Sequence, residues 1–361
     1  MNAAQQLHEA GQSLWLDNIT RDLVRSGGLQ RYIEEFAITG LTSNPTIFDK
    51  AIGEGDAYDE SIQRLTSQGI KGEQLFFDLA IEDLTAACDL FRPIHDSTGG
   101  LDGWASLEVS PLLAYDAAST VKEAKDLWTR AARENLFIKI PGTPEGNVAI
   151  EESIFNGVPI NVTLLFSREQ YLGSAEAYMR GVERRIAAGL DPVVPSVASI
   201  FISRWDVAIK DQVPESMRNH LGVPIAQRSY KAYRNLLASE RWQKLAKAGA
   251  QRQTLLWAST GTKDPNASDV LYVEAFQAPE TIDTIPESTL MAFANHGVVG
   301  PMMDPSGGDA EAKLAEFAKV GVDIDALALK LQQDGASAFV KSWKDLLQRI
   351  EEKSKALNPA V

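Results

Sequence analysis

The stretch Leu136-Phe137-Ile138-Lys139-Ile140-Pro141-Gly142 decides how this chain is read. Strand-forming residues run almost without polar alternation into a Pro-Gly corner, as in a parallel strand buried on both faces. Similar runs, bounded by Gly, Pro, Asn or Asp, occur at residues 13–18, 40–44, 103–109, 160–166, 193–200, 255–259 and 281–285. Helical patterns fill the intervals, for example the apolar stripe over residues 73–91. Alternating strands and helices specify an α/β protein with a parallel sheet. Eight runs predict a (β/α)8 TIM barrel. A doubly wound open sheet is the runner-up, because alternation alone does not show closure.

Two intervals are too long for one strand–helix unit. Extra helical insertions are expected between the second and third runs and over residues 205–254, a largely polar stretch punctuated by Pro214 and Pro224. Near the C-terminus Phe339, Trp343, Leu346, Leu347 and Ile350 recur at helical spacing with Lys and Glu between them. A C-terminal helix should therefore pack across the barrel exterior or mouth. No repeat and no Pro-, Gly- or Ser-rich linker divides the sequence, so residues 1–361 read as a single barrel domain.

Composition narrows the partners. A net charge of −14 argues against nucleic acid and anionic membranes, and requires phosphorylated ligands to be held by a few focused donors. No apolar stretch approaches the roughly 20 residues of a membrane span. The start, Met1-Asn2-Ala3-Ala4-Gln5-Gln6, lacks the basic and apolar regions of a signal peptide. The single cysteine, Cys88, excludes an intrachain disulfide, suits a reducing cytoplasm and is expected to be buried packing. His8, His95, His220 and His296 show no ligand spacing, so no metal is expected. Ser26-Gly27-Gly28 and Ser97-Thr98-Gly99-Gly100 lack the spacing of a phosphate-binding loop and read as helix ends or corners, so no nucleotide cofactor is expected.

Lys139 carries the chemistry. Burial disfavours an ammonium, and a neutral amine is the nucleophile that Schiff-base chemistry requires. A lone lysine in an apolar run more often keeps its ammonium in water. Its company reverses that reading. Barrel enzymes place reacting groups at the C-terminal ends of strands. Here Asp17 ends the first run, Asn44-Pro45 the second, and Glu108 lies in the third. Asn161 and Thr163 share one face of the fifth, and the sixth leads to Ser199, Phe201 and Arg204. Taken singly, Asp17 could be a helix cap (Thr20 is the better candidate), Asn44-Pro45 a turn, Glu108 an edge-strand residue and Thr163 a strand former. One polar cluster in a barrel mouth explains them together.

Gly40-Leu41-Thr42-Ser43-Asn44-Pro45-Thr46-Ile47-Phe48 resembles the first signature of the transaldolases. Ile138-Lys139-Ile140-Pro141-Gly142-Thr143-Pro144-Glu145-Gly146 resembles the segment around their Schiff-base lysine, and residues 161–167 resemble the next strand. The likeness continues through residues 199–204 and 257–261, covers essentially the whole chain, and is greatest to the bacterial and cyanobacterial subgroup. It implies a class I aldolase-type barrel of the non-oxidative pentose phosphate pathway. Such an enzyme moves a dihydroxyacetone unit from sedoheptulose 7-phosphate to glyceraldehyde 3-phosphate, giving erythrose 4-phosphate and fructose 6-phosphate.

The resemblance also implies roles. Asp17 takes the sugar hydroxyl proton, Glu108 and Thr163 handle a catalytic water, and Asn44 and Asn161 hold the dihydroxyacetone hydroxyls. Ser199 and Arg204 bind phosphate, joined by the seventh-strand serine, Ser259. The family has an arginine shortly after that serine, but Ser259-Thr260-Gly261-Thr262-Lys263 has none, and Lys263 is expected to supply the charge.

Two other activities fit a sugar-phosphate barrel. A fructose-6-phosphate aldolase-like enzyme would release free dihydroxyacetone, but related aldolases have a tyrosine near Phe201, and a phenyl ring offers no proton. A non-catalytic sugar-phosphate-binding barrel would have no use for an amine in an apolar strand. A monomer and a homodimer are equally compatible with the sequence.

Overall fold

A computed structural model describes residues 1–357 and turns all eight runs into strands. They are β1 Ser13–Leu16, β2 Ile38–Leu41, β3 Ala105–Glu108, β4 Leu136–Pro141, β5 Ile160–Leu165, β6 Ser196–Phe201, β7 Gln253–Ala258 and β8 Thr281–Ile285. The sixth begins later than expected because Pro192 and Pro195 have no N–H for the ladder.

Every pairing is parallel, in the order β2-β1-β8-β7-β6-β5-β4-β3. The two ends of that order meet. Leu41 N donates to Trp104 O at 2.9 Å and Gly103 N to Thr39 O at 3.0 Å. This closure excludes the open sheet. It also explains Gly40, where a Cβ would fall 2.6 Å from Trp15 Cε2 and 2.7 Å from Trp104 O.

The barrel floor is aromatic. Phe137 stacks on Trp104 at 3.9 Å between centroids, with Trp15 beyond it at 6.1 Å. Asp102 ties this floor together, accepting from Trp15 Nε1 at 2.9 Å and from the Ser13 hydroxyl. Two residues after Phe137, on the same inward face, comes Lys139. Leu136, Ile138 and Ile140 alternate outward beneath the helical ring, which is why this strand is apolar on both sides of its lysine.

The long intervals hold extra helices. Pro45–Gly53, Asp59–Ser67 and Gly72–Ser97 lie between β2 and β3, and Ser203–Ile209, Gly222–Ala238 and Glu240–Lys247 lie between β6 and β7. Pro224 does not break its helix, because it sits in the first turn, where no intrahelical donor is required. The C-terminal helix, Ile324–Leu357, crosses the mouth: Gln332 Nε2 donates to Gly142 O and Leu164 O, both at 3.0 Å. Cys88 is fully buried, and burial pushes its thiol up to about 12, as suits packing rather than reactivity. Among the described residues, no helix is long and apolar enough to cross a membrane.

Candidate active site

Strand register assembles the centre. Glu108 of β3 pairs with Lys139 of β4, and Lys139 with Asn161 of β5, while Pro141 pairs with Thr163 one step nearer the mouth. Carboxylate, amine and amide thus stand side by side in one inward layer. Lys139 is only 5% exposed, and its Nζ lies 3.1 Å from Glu108 Oε2. The same amine donates to Ser43 O at 3.0 Å, and Ser43 is fixed by donating its hydroxyl to Ser106 O at 2.8 Å. The solvated reading of Lys139 and the edge-strand reading of Glu108 both fail here, since each side chain is enclosed.

Burial pushes the Glu108 carboxyl above the usual carboxylate range, against the opposing pull of the Lys139 charge and hydrogen bond. Burial likewise raises Asp17, while Lys139, a hydrogen bond from Thr42, Lys263 and Arg204 pull it back. Carboxylates raised in this way are stronger bases, as proton acceptors in catalysis need to be. Asp17 is not a helix cap; Thr20 fills that role, its hydroxyl accepting from Leu23 N at 3.0 Å.

A cavity of about 610 Å³ opens above this layer, lined by Asp17, Asn44, Lys139, Thr163, Ser199, Phe201, Arg204, Ser259 and Lys263. Of the residues singled out in the sequence, only Glu108 and Asn161 lie behind its surface, against the others. Asn161 accepts from the Ser199 hydroxyl at 2.8 Å and donates to Ser106 Oγ at 3.1 Å. Asn44 Oδ1 caps the helix Pro45–Gly53 by accepting from Ile47 N, which leaves its amide N–H groups for the cavity. Glu108 Oε1 and Thr163 Oγ1 are buried and have no hydrogen-bond partner among the described residues. Unpartnered buried oxygens of this kind can hold a water or a substrate hydroxyl.

The rim carries positive charge. Arg204 lies in the first turn of Ser203–Ile209, next to Ser203, whose hydroxyl pairs with that of Ser259 at 2.8 Å. Lys263 folds back over Gly261, its Nζ 3.6 Å from where a Cβ at 261 would stand. Pro286 Cγ, at 3.0 Å from the same point, is the atom that keeps position 261 without a side chain, and the ammonium lies beside it.

A sequence model of the family described as Transaldolase/Fructose-6-phosphate aldolase matches residues 14–350. The chain belongs to this transaldolase family. It is 42% identical over 358 residues to the transaldolase of Thiobacillus denitrificans, covering 97% of this chain and 100% of the relative. Identity to transaldolase 2 of Nostoc punctiforme is 37% over 378 residues, covering 99% of each chain. The transaldolase of Neisseria gonorrhoeae is 39% identical over 348 residues, covering 96% of this chain and 99% of its own.

The transaldolase-family cavity also contains residues that the sequence did not single out. Thr42, Thr46, Lys50, Ser203, Thr284 and Phe339 all line it. Thr42 lay inside the quoted motif, one residue beyond β2, in the position that makes Asp17 conspicuous after β1. Thr46 and Lys50 are four apart and so share one helix face. Phe339 was visible only as part of an apolar stripe.

Proposed function

We propose that Lys139 forms an imine with a ketose phosphate and passes a dihydroxyacetone unit to an aldose phosphate, using sedoheptulose 7-phosphate and glyceraldehyde 3-phosphate. The observation that carries this reading is the enclosed amine 3.1 Å from Glu108. Glu108, made more basic by burial, takes the proton that Lys139 must lose before attacking the ketose carbonyl. With Thr163 it holds the water released as the carbinolamine dehydrates. The iminium then acts as electron sink: Asp17 takes the proton of the hydroxyl on C4, the C3–C4 bond breaks, and its electrons pass into an enamine on Lys139. Phe201 offers that enamine no proton, so it waits for an acceptor aldehyde, and the steps reverse.

Asn44 and Asn161 are assigned to the dihydroxyacetone end, and Ser199, expected at the phosphate, is reassigned to join them because its hydroxyl is committed to Asn161. Arg204, Ser259 and Lys263 are assigned to phosphate, where a guanidinium fork and a point charge complement each other. We read the described residues as one catalytic unit that needs no cofactor.

Borohydride trapping with fructose 6-phosphate, followed by intact mass and peptide mapping, tests this. A reduced three-carbon adduct on Lys139 is expected. A six-carbon adduct alone would mean an imine without cleavage, and a folded protein with no adduct would overturn the reading.

A further inference from the structure

We infer that the C-terminal helix is a working part of the phosphate end, its stripe Gln332, Gly335 and Phe339 positioning Arg204. This rests on the assignment of Arg204 to phosphate. The three residues are spaced by three and four and so share one helix face. Gln332 is 5% exposed and donates both its bonds to the strand ends that carry Lys139 and Thr163. One of its acceptors belongs to Leu164, which has φ of 57° and sits where the β5–β6 register shifts. A non-glycine residue in that conformation is strained and must be held by its surroundings. Gln332 supplies that hold and locks the helix in place.

One turn on, Gly335 lies in a helix interior, where glycine is unfavourable. Space accounts for it: a Cβ there would stand 3.0 Å from Leu164 Cδ2 and 3.5 Å from Arg204 Nη1. The next turn presents Phe339, whose ring centroid is 5.9 Å from Arg204 Cζ, with Phe201 at 5.2 Å. Among the described residues, Arg204 has no ion pair; the two rings lie against its guanidinium, and Asp17 and Glu108 act on it only through their charges. Ring faces attract a guanidinium through its flat side and leave the N–H donors at its edge free. A carboxylate partner would consume those donors. The rings fix the guanidinium while keeping its fork available for a phosphate.

Kinetics with fructose 6-phosphate and with unphosphorylated fructose as donors, and glyceraldehyde as acceptor, separate the possibilities. For Phe339→Leu we expect the ratio of KM for fructose 6-phosphate to KM for fructose to rise about tenfold. Gly335→Val should do the same, and Phe339→Tyr, which keeps the ring face, should restore the ratio. Each variant is checked by circular dichroism, and Gly335→Ser stands in should Phe339→Leu not fold. Equal rises in KM for both donors would reveal general deformation and overturn the inference. If Arg204→Ala abolishes the preference for the phosphorylated donor but the stripe variants do not, the inference fails while the Arg204 assignment stands. If Arg204→Ala leaves that preference intact, the assignment fails and the inference with it.

Discussion

The two sides of the cavity are built differently. On one side Glu108, Lys139 and Asn161 sit on adjacent strands in one register layer, nearly inaccessible to solvent. On the other, Arg204, Ser259, Lys263 and Phe339 come from a short helix, a strand-end loop and the C-terminal helix. Bond making requires reacting atoms held to within about 0.5 Å, which a hydrogen-bonded ladder provides. Recognition of a phosphate tolerates a more adjustable frame, because a charge acts over several ångströms. Damage to the strand side should therefore appear in kcat, and damage to the rim in KM.

Lys139→Arg tests the strand side most severely. A guanidinium is always protonated and cannot form an imine, so turnover should fall at least about a thousandfold in a coupled assay. Near-normal activity in that variant would remove the imine from the mechanism altogether.

Lys263→Met tests the rim. Loss of one charge from the phosphate end should raise KM for phosphorylated donors about tenfold, leaving kcat within about threefold. The wild-type advantage should shrink as salt is added, since an exposed ammonium is screened. Lys263 also acts electrostatically on Asp17. A large fall in kcat at unchanged KM would move Lys263 to the chemical side and blur the distinction between the two walls.

The same contrast governs how much could be read in advance. Parallel strands buried on both faces leave short apolar runs, so all eight were legible, with bounds shifting where Pro192 and Pro195 intervene. A charge in such a run is anomalous, which made Lys139, Glu108 and Asp17 visible. Rim residues carry no such mark. Gln332 and Phe339 are ordinary residues of an amphipathic helix until contacts with Gly142, Leu164 and Arg204 give them meaning. Those contacts join segments far apart in the chain. Ser199 shows the same limit: its position at a strand end was readable, but its bond to Asn161 was not.

Thr42 lies where the two sides meet and offers the finest test. Its hydroxyl donates to Asp17 Oδ1 at 3.0 Å and pairs with Thr284 Oγ1 at 2.7 Å. Burial raises the Asp17 carboxyl, and the hydrogen bond from Thr42 helps to lower it again. Thr42→Val keeps the shape and removes that bond, so the carboxyl should rise further. Asp17 must be ionised to accept the sugar hydroxyl proton, and activity is lost as pH falls through its pKa. A higher pKa therefore moves the acid limb of the kcat profile toward neutral pH. The alkaline limb should not move. An acid limb that stays put, or moves to lower pH, would show that a group other than Asp17 takes this proton. Glu108 would then be the base for both cleavage and dehydration, and the strand side alone would carry all the proton transfers.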